Sequence, residues 1–271
     1  MNILAFKGAL FCYLVATGFY LIYLIWIKDK FAKIGKLFTV IGFIFHTLAF
    51  IIRYFEAGHF PITNLHESLS IFAWITILFY LFYEYKYDMP SLGSFILPFS
   101  SISLVYAAIV PMEIKPLNPA LQSAWLSIHA AFAFIGYGAF ALAFCVAIMY
   151  LIQERQLKKK KLGPFYYRLP ALDLLDYIEH KSLIIGFPCL TIAIITGSMW
   201  ASKAWGTYWS WDPKETWSLI TWLIYNAIIH SRIGLGWRGK KASYLAIIGF
   251  IFVLFTFFGV NLLLKGLHSY V

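Results

Sequence analysis

The sequence predicts an all-α membrane protein, a polytopic bundle of about eight transmembrane helices with both termini on the extracytoplasmic side. Three observations predict it. The 271 residues are 61% hydrophobic and 13% charged, with a mean hydropathy of +0.75, whereas soluble domains are roughly half apolar and one-quarter charged. Eight stretches approach the ~20 apolar residues that a span requires. The 22 Lys and Arg residues fall mainly in clusters between those stretches. A chain this apolar excludes soluble enzyme folds. Its net charge of +10 suits the inner surface of an anionic bilayer, and no nucleic acid is expected as a partner. Cys12, Cys145 and Cys189 lie in apolar runs without CxxC spacing and read as packing residues.

Taken in order, the first stretch, 5–27, is too long for a signal-peptide core. It also lacks an A-x-A-like site before Lys28-Asp29-Lys30, so it reads as a true span. Further spans are expected at 37–55, 68–87, 91–111 and 125–151. Between Gly163 and Lys181 apolar and polar residues alternate at helical spacing without enough pure hydrocarbon to cross, which predicts a segment along the inner interface. The last spans are expected at 182–201, 213–231 and 242–262. No repeat, low-complexity tract or flexible linker divides the chain, so residues 1–271 read as one membrane domain.

Short loops rich in Lys and Arg stay cytoplasmic. Lys28, Lys30, Lys33 and Lys36 follow the first span, Arg155 and Lys158 to Lys161 the fifth, and Arg232, Arg238, Lys240 and Lys241 the seventh. Placing all three clusters inside, with Lys86, Arg168 and Lys181, leaves outside only Lys7, Arg53, Lys115, Lys203, Lys214 and Lys265. Both termini then face outward.

The stretch from Trp200 to Trp222, WASKAWGTYWSWDPKETWSLITW, holds six tryptophans and one tyrosine in 23 residues. Interfacial anchoring accounts for any one of them. Trp205, Tyr208, Trp209 and Trp211, four aromatics within seven residues, exceed that need and suit a large planar ligand. Asp212 as N-cap, Pro213 at the first helical position and Glu215 at the third form a helix-start signal for the seventh span, whatever else these residues do.

WGTYWSWDPKETWSL resembles the tryptophan-rich WWD signature of heme-handling proteins. Its DPKETW ending is similar to the CcsA/ResC type of cytochrome c biogenesis protein of the System II pathway. Residues 45–74, 125–140, 185–201 and 255–270 also look like blocks of that family, so the resemblance covers most of the chain. His66 stands where the family often has Tyr, which makes it a poor candidate for a general ligand. The resemblance implies that Trp205, Gly206, Tyr208, Trp209, Trp211, Asp212 and Trp217 belong to an extracytoplasmic heme-binding segment, residues 200–222. It implies heme b as transported substrate, and a CcsB/ResB-type membrane protein, apocytochrome c and thiol-reducing proteins as partners. The expected location is a bacterial cytoplasmic membrane or the equivalent thylakoid membrane. The implied activity is heme transport and presentation for thioether attachment, as a subunit of a holocytochrome c synthase (heme lyase) complex. A heme-binding regulatory membrane protein without synthetase activity is the alternative, and a purely structural subunit a further one.

Imidazole is the expected axial ligand to heme iron, and position sorts the seven histidines. His129, in the first turns of the fifth span, and His268, beyond the eighth, both lie on the expected outer side; the resemblance implies that they are the external ligands. His230 ends the seventh span, 18 residues and about 27 Å of helix from Asp212, so it cannot share their iron. It is structural or belongs to a second, inner heme position, which the resemblance supports. His46, mid-span with Arg53 two turns on, is an interhelical hydrogen-bond residue or a further ligand; it differs from His230 in depth by roughly 10 Å, so the second ligand at His230 is expected from another polypeptide. His59, in an outer loop, and His180, beside Lys181, rank lower. Lys203, Lys214 and Arg53 are external cations that could meet heme propionates.

Overall fold

The computed structural model describes residues 1–26, 28–114, 116–117, 122–160, 163 and 165–264, without the side chains of Asn261 and Leu262. Among these residues the secondary structure is helical: α1 Asn2–Ile25, α2 Asp29–Ala57, α3 Leu65–Tyr87, α4 Pro90–Ile109, α5 Ala124–Lys158, α6 Leu172–Trp205, α7 Pro213–Gly234, α8 Lys240–Leu254 and the short α9 Val260–Leu263. A 3-10 turn at Tyr166–Arg168 precedes α6, and a π-helical turn at Phe255–Gly259 joins α8 to α9. Helices α1 to α6 and the run Lys240–Gly259 are long and apolar enough to cross a membrane. Helix α7 has 22 residues, about 33 Å at 1.5 Å each, and matches the expected seventh span in length.

Two differences from the sequence reading have local causes. Helix α2 starts at Asp29 rather than near residue 37, so Lys30, Lys33 and Lys36 occupy its first turns. Charged residues are as compatible with helical backbone as apolar ones, no proline stands between them and the apolar run, and Gly35 is accommodated within the helix. Likewise, most of the stretch expected along the interface is not a separate element. From Leu172 onward it is the beginning of α6, since nothing between Pro170 and Pro188 interrupts the helix.

The chain packs as two compact units. The first comprises residues 1–116 and 152–174. Here α1 and α2 form a hairpin against α3 and α4, around the fully buried Tyr13, Tyr20 and Tyr80. Tyr20 and Tyr80 share a 2.5 Å hydroxyl hydrogen bond, and the Ser94 hydroxyl donates to the Tyr20 carbonyl at 2.9 Å. Apolar surroundings leave such groups no water to pair with, so each finds a partner on a neighbouring helix. Arg53 on α2 meets Glu67 on α3 at 2.6 Å, both buried, and donates from Nη1 to the Met112 carbonyl at 3.0 Å.

The second unit comprises residues 117–151 and 175–271 and carries the aromatic segment. Phe140 of α5 stacks on Tyr225 of α7 with ring centroids 3.6 Å apart, and Phe144 stacks on Phe250 of α8 at 4.8 Å. Gly136 of α5 admits the close approach of α6: a Cβ there would lie 3.2 Å from the Gly186 carbonyl oxygen.

Candidate functional site

Within the second unit, His129 sits in the second turn of α5, half-buried. Its Nδ1 lies 2.7 Å from the Ala193 carbonyl oxygen of α6. A carbonyl only accepts, so Nδ1 carries the proton and the ring's lone pair belongs to Nε2. This is the arrangement in which imidazole serves as a metal ligand, with one nitrogen fixed by a backbone carbonyl and the other basic. The His129 ring lies nearly parallel to Trp200 at 6.2 Å, and Trp200 meets Trp205 at 5.0 Å and 66°. An aromatic column thus runs from the histidine to the end of α6.

Gly206 stops that helix. Its φ of +82° is left-handed, a conformation open to a residue without a Cβ, and its N–H caps the Ser202 carbonyl at 3.0 Å. The chain then exposes Tyr208 and Trp211, 66% and 70% accessible, with Trp209 half-buried and edge-on to Trp211 at 5.8 Å. Trp211 also has a positive φ of 59°, a strained conformation for a bulky side chain.

Its neighbours explain how that strain is held. The Glu215 carboxylate accepts from the Ser210 N–H at 2.7 Å and the Asp212 N–H at 3.3 Å, clamping the backbone on both sides of Trp211. Asp212 in turn caps α7, accepting from the Lys214 N–H at 2.9 Å. The expected capping box is therefore present, and it orients the ring-bearing turn as well as starting the helix.

Other expected residues are positioned as follows. Trp217 packs onto Phe255 at 4.3 Å and Phe252 at 6.3 Å. Lys214 donates to the Thr256 carbonyl at 3.0 Å and stands 5.7 Å over the Phe257 ring, so it ties α7 to the π turn. His230 is exposed at the far end of α7, beside Gly234, with Trp222 two turns back donating to the Thr191 hydroxyl at 2.8 Å. His180 is half-buried on α6. His268 and Lys265 lie outside the described residues.

In the first unit, His46 is 0% accessible. Its Nε2 lies 2.9 Å from the Ser70 hydroxyl and its Nδ1 3.5 Å from the Tyr13 hydroxyl, and Phe50 stacks on the ring at 5.1 Å. In this structure His46 makes the interhelical hydrogen bonds of the first alternative, to Tyr13 of α1 and Ser70 of α3. Arg53, expected as an external cation for propionates, is committed to Glu67. His66 donates from Nδ1 to the Ala107 carbonyl at 2.8 Å.

Sequence reasoning missed Ala193, Gly197, Trp200 as the partner of His129, and the clamp by Glu215 on Ser210. The i, i+4, i+7 spacing of the first three on α6 is a signal that could have placed them on one face.

Comparison with known proteins places the chain. Residues 62–268 match the model of the cytochrome C assembly protein family. The chain belongs to this family. A cytochrome c biogenesis protein CcsA of Guillardia theta is 38% identical over 270 residues, covering 90% of each protein. Another CcsA, of Prochlorococcus marinus, is 36% identical, covering 90% of this chain and 86% of its own length. Among solved structures, a cytochrome c heme lyase CcmF superposes with a TM-score of 0.68 at 17% identity. The match covers 95% of this chain and 46% of that one, so what the two share is the fold. Family membership fixes cytochrome c assembly as the general role of this multi-pass membrane chain.

Proposed function

We propose that this member of the cytochrome C assembly family carries heme b across the membrane and presents it on the outer side to apocytochrome c. The observation that carries the reading is the His129 hydrogen bond. Nδ1 is held by Ala193 at 2.7 Å, so the ring's lone pair lies on Nε2, the nitrogen that would meet iron, with the Trp200–Trp205 column beside the ring and the exposed Tyr208 and Trp211 on the same unit. His268 is the second external ligand and His230 an inner one whose partner comes from a CcsB/ResB-type membrane protein.

In this reading the chain supplies no nucleophile. The two cysteine thiols of a CxxCH segment, kept reduced by thiol-reducing proteins, add across the heme vinyl groups: each sulfur bonds to one vinyl carbon and its proton passes to the other. His129 holds the iron, while Tyr208, Trp209 and Trp211 offer ring faces and an indole donor against the macrocycle. Holding the two reactants in register is the catalytic contribution. The extracytoplasmic face of a bacterial cytoplasmic or thylakoid membrane is the setting, with both termini on that face.

The test is purification of the chain with its membrane partner, followed by heme quantification. Wild type retains heme with a six-coordinate spectrum. The His129→Ala/His268→Ala double variant loses the external heme and matures no cytochrome c. Full heme in that double variant refutes the external site, and full maturation by His230→Ala without added imidazole refutes the inner one.

A further inference from the structure

We infer that one face of α6, made by Ala193, Gly197 and Trp200, is a built cradle that sets the tautomer and plane of the His129 ring, with Gly197 its positioning residue. The inference rests on the reading of His129 as an iron ligand and adds what makes it one.

The three residues follow at i, i+4 and i+7, so they form a single stripe along α6. At one level the Ala193 carbonyl takes the Nδ1 proton at 2.7 Å. The neighbouring Thr196 hydroxyl donates to the Ile192 carbonyl at 2.7 Å and lies 3.2 Å from the Ala193 oxygen. At the next level, Gly197 gives the ring its space. A Cβ on Gly197 would lie 2.7 Å from His129 Nδ1 and 2.9 Å from its Cε1, closer than packed carbon approaches a ring. Any side chain there pushes the imidazole off the carbonyl. One turn on, Trp200 lies within 22° of parallel to the ring and limits its rotation. Trp200 and Ala193 are both buried, so the cradle has a rigid base. Partners that orient a ligating histidine typically matter by roughly 10- to 100-fold in affinity. A ring displaced from Ala193 loses both its fixed tautomer and its aim.

The test uses the chain purified with its membrane partner and titrated with ferric heme, read by absorption and electron paramagnetic resonance. Gly197→Ala should weaken external heme binding roughly 10- to 100-fold and turn the low-spin signal high-spin, as His129→Ala does. Combining it with His129→Ala should add no further loss, because Gly197 acts through that ring. A low-spin spectrum at wild-type affinity in Gly197→Ala, with His129→Ala defective, overturns the cradle and leaves the ligand reading standing. An additive loss in the double variant also overturns it. A wild-type spectrum in His129→Ala removes the ligand reading itself. One further measurement needs no glycine variant: in the heme-free chain with 15N-labelled histidine, His129 should report the Nδ1–H tautomer, and an Nε2–H tautomer contradicts the cradle.

Discussion

Replacing Glu215 by Gln should loosen the turn that exposes Trp211 while leaving the helices in place. The carboxylate accepts from Ser210 N–H at 2.7 Å and from Asp212 N–H at 3.3 Å. Hydrogen bonds to a charged acceptor contribute about 1.5 to 3 kcal/mol each, and loss of a helix cap costs typically about 1 kcal/mol. Ser210 is exposed, so water replaces part of what it loses, and an amide side chain keeps part of the geometry. About 2 kcal/mol is left as the expected reduction in the free energy of local opening, or roughly a 30-fold shift in the opening equilibrium. The positive φ of Trp211 works in the same direction, since a left-handed non-glycine residue stores of order 1–3 kcal/mol that the clamp must hold. Amide hydrogen exchange, read by mass spectrometry over residues 205–216 in lipid nanodiscs, should show Ser210 and Asp212 exchanging roughly 30-fold faster, with α5 and α6 unchanged. Exchange within about threefold of wild type would refute the clamp. Acceleration spread equally over α5 and α6 would show a global packing effect instead.

Three further outcomes are expected. Arg53→Ala strands the Glu67 carboxylate, 1% accessible, and should destabilise the first unit by about 3–5 kcal/mol; thermal unfolding in detergent measures this, and an Arg53→Met/Glu67→Leu double variant should recover most of it. Trp209→Phe with Trp211→Phe should keep the heme bound at purification but lower covalent attachment to a CxxCH peptide, whereas a structural anchor role predicts no change in attachment. A cysteine at position 159 should react with a membrane-impermeant maleimide only in inverted vesicles, and one at position 208 only in right-side-out vesicles; the reverse pattern would invert the orientation drawn from the Lys and Arg clusters.

Much of this was legible in the sequence because membrane helices advertise themselves by length and apolarity. The capping box at Asp212 and Glu215 was readable for the same reason that it works: caps are local, and three positions within four residues carry the whole signal. Local pattern says less about where a helix begins when no proline intervenes, so the starts of α2 and α6 at Asp29 and Leu172 lay beyond the apolar runs. Long-range partners were least legible. That Arg53 is spent on Glu67, that His46 bridges Tyr13 and Ser70, and that the Ala193 carbonyl fixes His129 each depend on which helix faces which. A single-residue pattern carries no such information.

The central claim is that this chain hands heme to apocytochrome c, and single-turnover transfer tests it most directly. The heme-loaded complex is mixed with a reduced CxxCH peptide, and covalent heme-peptide is followed by mass spectrometry alongside the absorption of the bound heme. The account predicts one heme-peptide formed for each external heme lost, and none from the His129→Ala/His268→Ala variant. Heme that stays bound while no thioether forms, or heme-peptide formed equally well by the double variant, would contradict it.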